Sequence, residues 1–575
     1  MKKIKKALVL MLSAFMAFSG MAVGCAQPEI PNENDALNEE IDPNRTQIHV
    51  FCFDGGFGSD WLVSLKKKFE EMHKNDSYED GKTGVQIMIN PEKDELDVDE
   101  ISYNKNELFF TENAYYYDLL RANALADITD AVTGSLSKFG DERSIESKLT
   151  DAQKAYYGVK DDNEKVHYYG IPHYSIFMQM NYNVDLFDQK GYYFLDVPTG
   201  ETLEDRFVYD VANDKRSKGP DGVYNTFDDG LPATYEEFFL LCDYIYQCSD
   251  IPLTWAGKVN KGYLSSLLQA LAVDYEGAEQ SSLYYNMDGK PAKNLGRVVN
   301  GSFVEDETDT IITEENGYEL ARQAGKYYGL QFIEKIVNTE KYHNALAFNT
   351  GHSHMDAQTD FLNAGHDGVT NESAILIDGI WWESEATATF NSMVKSKGEQ
   401  FSKANRKFAY LPLPKATASK ATETAQSNTK FTLCDYSFSL MYMKKNVAEW
   451  KKPLLMEFLQ FCNTNENLVE FTQITSAIKS IDYTATEDDM KQMSHYTKSL
   501  FNMKKVSDII QPFSTTDLYV NNQLFFSPLE SYYSKLPSGT NMQYPIEAFR
   551  EKNVSVNDYF SGMYTYFSGK WGSLK

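Results

Sequence analysis

The ordered part of the sequence opens with an apolar segment of strand length and a helical repeat. Residues 48–53 are apolar or aromatic apart from one histidine, which predicts a strand. A turn with three glycines follows at 54–58, and apolar residues then recur at helical spacing over 62–72. Ser59 and Asp60 are both available as the N-cap of this helix. A strand, a glycine turn and a helix in this order are typical of an α/β unit.

The alternation of strands and helices continues along the chain. Apolar segments at 85–89 and 108–110 predict two further strands, and the second leads into a helix through Leu125. This order predicts a mostly parallel sheet with helices packed on it. No internal repeat of fixed period interrupts it.

The glycine turn does not have the spacing of a dinucleotide-binding loop. After Gly56 and Gly58, the position of the third glycine is occupied by Trp61. The remaining use of such a turn is to let a ligand approach the backbone at the carboxyl end of a strand. No nucleotide cofactor is therefore expected.

The first 24 residues have the pattern of a secretory signal. Four lysines precede an apolar run at 7–18 that is too short to cross a bilayer. Small residues before Cys25 resemble a bacterial lipobox, although Ala22 stands where leucine is more common, and this predicts lipidation of Cys25. The alternative is an ordinary signal peptide. Residues 25–47 are predicted to be a flexible acidic tether. Export followed by lipidation of Cys25 would place the protein on the extracellular face of a bacterial cell membrane.

Composition narrows the function classes. The chain has 575 residues, of which 42% are hydrophobic and 24% charged, so it is globular and large enough for at least two lobes. Its net charge of −28 repels phosphate backbones, which excludes nucleic acid as the expected partner. Six widely spaced cysteines argue against a zinc ribbon or a disulfide scaffold. The 38 tyrosines and 35 phenylalanines suit either a sugar-contacting cleft or a large core.

Several segments together resemble the extracellular solute-binding proteins of ABC transporters, family 1, the maltose-binding-protein-like class. They include a Pro-x-Thr-x-x-Glu helix start at 232–237 and a strand ending in Gly-x-Trp at 374–382. In the family's order, the matching segments are 167–172, 180–187, 231–238, 374–382, 410–414, 437–439 and 477–480. The resemblance covers 46–575, nearly all of the predicted mature chain.

The resemblance implies a class II periplasmic-binding-protein-like α/β fold. Two lobes would be joined by a multi-strand hinge, with the ligand cleft between them. Lobe 1 is expected to comprise 46–175 plus 408–480, and lobe 2 to comprise 176–407 plus 481–575. Such lobes close on a ligand by hinge motion.

The cleft is expected to bind a carbohydrate through aromatic faces and through carboxylates or amides that hydrogen-bond hydroxyl groups. The candidate ligand-binding residues are Asp60, Trp61, Glu112, Asn113, Tyr115, Tyr116, His173, Tyr174, Trp255, Trp381, Trp382, Glu383, Asp435 and Tyr436. Helix capping is the alternative for Asp60, and core packing is the alternative for Trp255. Trp381 and Trp382 are adjacent on a segment expected to be extended, so one should face the cleft and the other should pack.

Two groups of residues raise the question of a metal. Asp221, Asn225, Asp228 and Asp229 lie in a glycine-bent loop that suggests structural calcium, although the spacing does not fit an EF-hand and an Asx-turn loop is the alternative. A second group is formed by His343, His352, His354 and His366. It resembles a family segment without a metal role, so no transition metal is expected. No other cofactor is predicted.

The sequence contains none of the common hydrolase or phosphate-binding motifs. With 83 acidic residues, a pair of carboxylates has no weight as a glycosidase signal. The expected function is that of a monomeric, lipid-anchored protein, not an enzyme, that captures a carbohydrate and delivers it to an ABC permease. The alternative is a surface lipoprotein that binds or processes glycans without a transporter.

Overall fold

The computed structural model describes residue 37 and residues 39–364, 371–416, 431–436, 438–527 and 530–575. The predicted signal segment, Cys25 and His366 lie outside the described residues. The strands are β1 Thr46–Phe53, β2 Val85–Glu92, β3 Leu108–Thr111, β4 Gly158–Lys160, β5 Val166–Tyr168, β6 Ile171–Pro172, β7 Met178–Asn183, β8 Ile251–Thr254, β9 Asp288–Ala292, β10 Gly296–Val299, β11 Ser302–Glu305, β12 Thr310–Thr313, β13 Ser373–Gly379, β14 Phe408–Leu411, β15 Phe431–Cys434, β16 Leu440–Met443, β17 Ser507–Ile510, β18 Ser534–Lys535 and β19 Asn541–Met542.

The helices are α1 Asp60–Met72, α2 Val98–Ile101, α3 Tyr116–Arg121, α4 Thr129–Thr133, α5 Ile145–Lys148, α6 Asp151–Tyr157, α7 Val184–Lys190, α8 Tyr235–Gln247, α9 Gly262–Asn286, α10 Ala324–Asn338, α11 His354–Leu362, α12 Trp382–Glu385, α13 Thr387–Lys397, α14 Lys452–Cys462, α15 Asn465–Thr475, α16 Glu487–Lys491, α17 His495–Val506, α18 Asp517–Val520, α19 Pro545–Lys552 and α20 Val556–Trp571. Within the described residues, none of these helices is both long and apolar enough to span a membrane.

The first lobe is built on a five-stranded sheet in the order β2-β1-β3-β16-β6. The three strands predicted at the start of the chain are confirmed, and β1 is parallel to both β2 and β3. β16 comes from much later in the chain and pairs antiparallel with β3. Phe109 stacks between Phe51 and Tyr442, with its ring centroid 5.8 and 4.9 Å from theirs, so the late strand shares the core of the early ones.

The second lobe is built on a four-stranded sheet in the order β14-β7-β13-β8. Every residue of β13 is buried, as expected for a central strand covered on both faces. β13 is parallel to β8 and antiparallel to β7, and β14 lies outside β7. The long helix α9 packs along β7 and β13.

Three crossings connect the two sheets. The first runs from β6 to β7, and the second from β14 through β15 to β16. The third leads from α15, which packs on α1, to α17, which packs on β14. β14 begins at 408 but pairs with β7 in the second sheet, so the expected boundary at 408 is corrected to a point after residue 411.

The crossings are bonded to one another. The amide of Ser175 in the first crossing donates to Ile478 O in the third, and the amide of His173 donates to Ser439 O in the second, both over 3.1 Å. β15 also pairs in parallel with β17, and both strands pack on α9. The three crossings therefore form one multi-strand hinge.

Part of the predicted tether is bound to the first lobe. The amide of Asp42 donates to Oε1 of Gln86 over 2.8 Å, and Nε2 of Gln86 donates to Glu40 O over 2.9 Å. Nζ of Lys66 forms an ion pair with Glu39. Residues 39–45 are therefore held at the amino end of β1, and the expectation that the tether is free up to residue 47 is wrong.

Helix α9 is interrupted at Gly277, which has a backbone conformation that favours glycine. Gly277 has φ 73° and ψ 175°, a conformation that a Cβ atom makes unfavourable. We expect Gly277→Ala to lower the free energy of unfolding by about 1–3 kcal/mol. Denaturant titration measures this loss.

Gly569→Ala in α20 is the matched control, because Gly569 is exposed and a Cβ there would have no neighbour within 4 Å. This control should be neutral or stabilising by up to about 1 kcal/mol. Equal losses in the two variants would contradict the assigned break.

Candidate functional site

The carboxyl ends of strands from both lobes meet at one place. The glycine turn follows β1 in the first lobe, and Trp381 follows β13 in the second. The rings of Phe57 and Trp381 pack edge to face with centroids 6.5 Å apart. A Cβ on Gly56 would lie 2.7 Å from Trp381 Cδ1, which is closer than atoms can pack, so the missing side chain is what admits the indole. Trp381 is therefore a cleft residue that touches the opposite lobe.

The question of which tryptophan faces the cleft is settled by the backbone after β13. The segment is not extended, because α12 begins at Trp382. Trp382 is fully buried in the second lobe, with its ring centroid 5.1 to 5.4 Å from those of Phe361, Phe408 and Tyr496. Trp381 instead folds back over Gly379, where a Cβ would overlap its ring.

A small cavity lies beside Trp381, between the hinge and the second lobe. Its volume is about 120 Å³, and it is lined by Ile176, Met178, Ser266, Trp381, Cys434 and Tyr436. Tyr436, a predicted site residue, thus belongs to this cavity. A larger depression of about 460 Å³ lies at the amino ends of β1 and β2, which is the opposite end of the sheet, and charged side chains line it.

Glu112, which follows β3, is a polar residue of the cleft. The hydroxyl of Tyr174 donates to Glu112 Oε2 over 2.8 Å. Burial raises the pKa of Glu112 to about 7, and repulsion from Glu95 and from Glu385 in the second lobe adds to the shift. Tyr174 itself contacts Phe57 edge to face, with centroids 4.8 Å apart. Glu112 and Tyr174 are therefore placed where the two lobes face each other.

Three other predicted residues lie near the same strand ends. Asn113 is exposed, and its backbone N–H donates to Glu95 Oε1 over 3.0 Å. Tyr115 is half-buried against Phe438. Asp60 is the first residue of α1 rather than its N-cap, which is Ser59, so the capping alternative is wrong. Among the described residues, Asp60 Oδ1 is buried without a hydrogen-bond partner, and burial beside Asp54 raises the pKa of Asp60.

Two predicted site residues instead belong to the core of the first lobe. Trp61 is enclosed by Phe110, His173 and Phe471, so the expectation that it presents a face to ligand is wrong. Tyr116 is buried, and its hydroxyl donates to the carbonyl of Tyr157.

His173 lies in the hinge and is buried rather than open to the cleft. Its Nδ1 is 2.7 Å from Lys479 Nζ. Burial lowers the pKa of Lys479 to about 7 and holds the pKa of His173 well below its usual range. Burial therefore disfavours the charged form of both groups.

Three further predicted residues also have structural roles. Trp255 is fully buried in the second lobe, which is the core alternative. Glu383 is buried and accepts a hydrogen bond from Ser494 Oγ over 2.7 Å, so it does not face the cleft. Asp435 accepts hydrogen bonds from the amide of Ile176 and from Gln511 Nε2, over 3.1 and 3.0 Å. It joins the first two crossings to the segment after β17 rather than offering its carboxylate to a ligand.

The structure adds cleft residues that the sequence reasoning missed. Phe57 and Glu95 follow β1 and β2, where the strand-end rule could have found them. Asp378 and Glu385 belong to the second lobe, and Gln358 Nε2 donates to both carboxylates over 3.0 and 2.7 Å. Burial raises the pKa of Asp378 to about 7. Glu383 was predicted and Glu385 was missed because the backbone after β13 was expected to be extended. It forms helix α12 instead, in which Glu383 is buried.

Tyr263, at the start of α9, was also missed. Its ring centroid lies 6.2 Å from that of Trp381. Burial raises its pKa, and the charges of Asp378 and Glu385 add to the shift. No pattern in the sequence distinguishes this tyrosine from the many others.

The two suspected metal groups use their side chains locally. Asp221, Asp228 and Asp229 each accept a backbone N–H within the loop, from Val223, Asp221 and Asn225 respectively, over 2.7–2.8 Å. The first of these bonds is that of an Asx turn. In the described part of the chain, no group of three or more His, Cys, Asp or Glu side chains is arranged to hold a metal ion. The calcium site stays a prediction from the sequence.

The histidines are separated in the same way. His343 is buried against Trp255, whereas His354 Nε2 lies 3.2 Å from a Glu385 oxygen. His352 is buried, with its Nε2 3.9 Å from Asp360 Oδ2. Hydrogen bonding to Glu385 raises the pKa of His354.

Solved structures of sugar-binding proteins match nearly the whole chain. A chitin oligosaccharide binding protein aligns with TM-score 0.52 and 12% identity over 92% of this chain and 100% of its own. Maltose-bound MalE3 of T. maritima aligns with TM-score 0.52 and 11% identity over 91% and 99%. A mannobiose-bound ABC transporter binding protein from Bifidobacterium animalis subsp. lactis aligns with TM-score 0.51 and 11% identity over 92% and 95%. No protein-family model and no curated protein matches the sequence.

The chain has the solute-binding protein fold. The two-lobed α/β architecture expected from the sequence is confirmed. At these identities the comparison establishes the fold alone.

The two adjacent tryptophans should differ in their effect on stability. We expect Trp382→Ala to lower the free energy of unfolding by about 3–5 kcal/mol, because it empties a fully buried site. Trp381→Ala should cost far less, because that ring is only partly buried and lies between the lobes. Chemical denaturation of both variants measures the difference, and equal losses would contradict the assignment.

Proposed function

We propose that this protein is an extracellular solute-binding protein that captures a carbohydrate, specifically an oligosaccharide, and delivers it to an ABC importer. The observation that carries the proposal is the contact of Trp381 with Gly56 and Phe57 across the two lobes. An aromatic ring at this place can cover the C–H face of a sugar when the lobes close. The carboxylate of Glu112 follows β3 at the same edge of the first sheet and can accept hydrogen bonds from hydroxyl groups.

Ligand entry requires the lobes to separate. The cavity beside Trp381 has a volume of about 120 Å³, whereas sites for small molecules usually enclose about 300–1,000 Å³. The hinge of three bonded crossings allows rotation of one lobe against the other while both cores stay intact. Binding would therefore close the lobes on the ligand and exclude water from it.

The carbohydrate assignment is supported by the aromatic composition of the cleft. Phe57, Tyr174, Tyr263 and Trp381 surround the place where the lobes meet. The named ligands of the fold neighbours are chitin oligosaccharide, maltose and mannobiose, which agrees with this assignment. The proposed activity is binding and release without chemical change.

A thermal-shift screen against gluco-, manno-, xylo- and chito-oligosaccharides should identify a ligand, because a molecule that binds only the folded state raises the Tm. Trp381→Ala should then weaken binding of that ligand by at least about fivefold, the loss of one sugar–aromatic contact. Trp450→Ala is the control, since Trp450 is half-exposed and precedes α14. Unchanged affinity in Trp381→Ala would contradict the site, and recovery of a cleaved ligand would contradict simple binding.

The proposed membrane anchor is tested separately. Cys25→Ser should abolish labelling of the protein with a palmitate analogue in cells and release the protein into the medium. Retention of the label in this variant would contradict the lipobox assignment without affecting the ligand site.

A further inference from the structure

The cavity beside Trp381 has a mostly apolar lining. We call it the side cavity; its volume is about 120 Å³, and it is lined by Ile176, Met178, Ser266, Trp381, Cys434 and Tyr436. It is larger than one water molecule requires but smaller than the roughly 300–1,000 Å³ of sites that enclose whole small molecules. The side cavity can therefore hold a substituent of a ligand rather than a whole sugar ring.

The side cavity adjoins the place proposed for the sugar ring. Trp381 lines it and also reaches the first lobe, since its ring packs edge to face on Phe57 with centroids 6.5 Å apart. Met178, which lines it too, is the first residue of β7 and pairs with Gly379 at the carboxyl end of β13. A sugar ring that lies on Trp381 could therefore place a substituent in the side cavity.

The described lining of the side cavity is uncharged. None of the six described side chains that line it is an aspartate, glutamate, lysine, arginine or histidine. Cys434 is buried, and burial raises the pKa of its thiol to about 12, so the thiol is neutral as well. An ammonium or carboxylate group placed here would lose its hydration without gaining a partner of opposite charge. The substituent that fits is therefore a neutral one.

The hydroxyl of Tyr436 is buried and has no hydrogen-bond partner in the described part of the chain. Burial raises the pKa of Tyr436, so the hydroxyl keeps its proton and is a donor at neutral pH. The thiol of Cys434, which lines the same cavity, is only a weak acceptor. A buried hydroxyl without an acceptor is unfavourable unless water or a ligand supplies one. An acceptor atom on a bound substituent would therefore be stabilised here.

We propose that the side cavity binds the acetamido group of an N-acetylated sugar whose ring lies on Trp381. The inference rests on the proposed function and narrows its ligand class. The carbonyl oxygen would accept the hydrogen bond of Tyr436 Oη, and the methyl group would pack on Ile176 and Met178. A hydroxyl group in the same place would leave the apolar lining uncovered, and a methyl group alone would leave Tyr436 without an acceptor.

The test compares matched β-1,4-linked disaccharides by isothermal titration calorimetry at neutral pH. The pairs are lactose with N-acetyllactosamine and cellobiose with N,N′-diacetylchitobiose, and the glucosamine disaccharide is added as the charged analogue. In each pair that binds, the N-acetylated member should bind about tenfold more tightly, because it adds a buried methyl group and a hydrogen bond. The glucosamine disaccharide should bind no more tightly than cellobiose. The added contacts are uncharged, so the preference should not change with salt.

Variants locate the preference. Tyr436→Phe removes the hydroxyl and keeps the ring, so it should lower the ratio of the two affinities at least about threefold. Ser266→Leu fills part of the side cavity and should lower the ratio too, while the parent disaccharide still binds. Tyr496→Phe is the matched control, because the hydroxyl of Tyr496 also has no partner among the described residues but lies in the core of the second lobe beside Trp382. The control should leave the ratio unchanged, and the Tm of each variant shows whether it is folded.

The outcomes separate the inference from the proposed function. Equal or weaker binding of the N-acetylated member of a pair overturns the inference and leaves carbohydrate capture standing. The same follows if other saccharides bind but neither N-acetylated probe does. A ratio that is unchanged in both Tyr436→Phe and Ser266→Leu also contradicts the inference, because the preference would then arise elsewhere. If no saccharide in the wider panel binds, it is the proposed function that fails.

Discussion

The structure depends on the three crossings that connect the two sheets, because neither lobe is made from a continuous piece of chain. The first sheet takes β16 from the late sequence, and Phe109 packs on Tyr442 across that join. Hydrogen bonds between the crossings, including those accepted by Asp435, tie these pieces together. The same bonds lie between the two sheets, so the segments that complete each core also set how the strand ends of the two lobes face each other.

Close approach at the cleft is made possible by glycine. Gly56 and Gly379 leave room for the indole of Trp381 on two sides, one in each lobe. A side chain at either position would hold the ring away from its place. The aromatic contact between the lobes therefore depends on Gly56 and Gly379 as well as on Trp381.

The sequence predicted the architecture better than the site. Hydrophobic spacing gives local signals for the strands at 48–53, 85–89 and 108–110 and for the first helix. The two-lobed fold was predicted from the segments that resemble solute-binding proteins in the order of that family. The position of Glu112 at the carboxyl end of β3 could be predicted because a strand end alone places it there, whereas its role in binding stays a prediction. Site prediction failed for Trp61 and Glu383, because which face of a helix meets the core depends on tertiary packing that spacing does not reveal. Tyr263 reaches the cleft from a distant helix, and no local pattern marks it.

The binding of residues 39–45 at the amino end of β1 has a consequence for orientation. Strands β1, β2 and β3 run from that edge toward the cleft. Residues 39–45 and the cleft therefore lie at opposite ends of the first sheet. A protein fastened through this segment would carry its cleft on the side that faces away from the attachment.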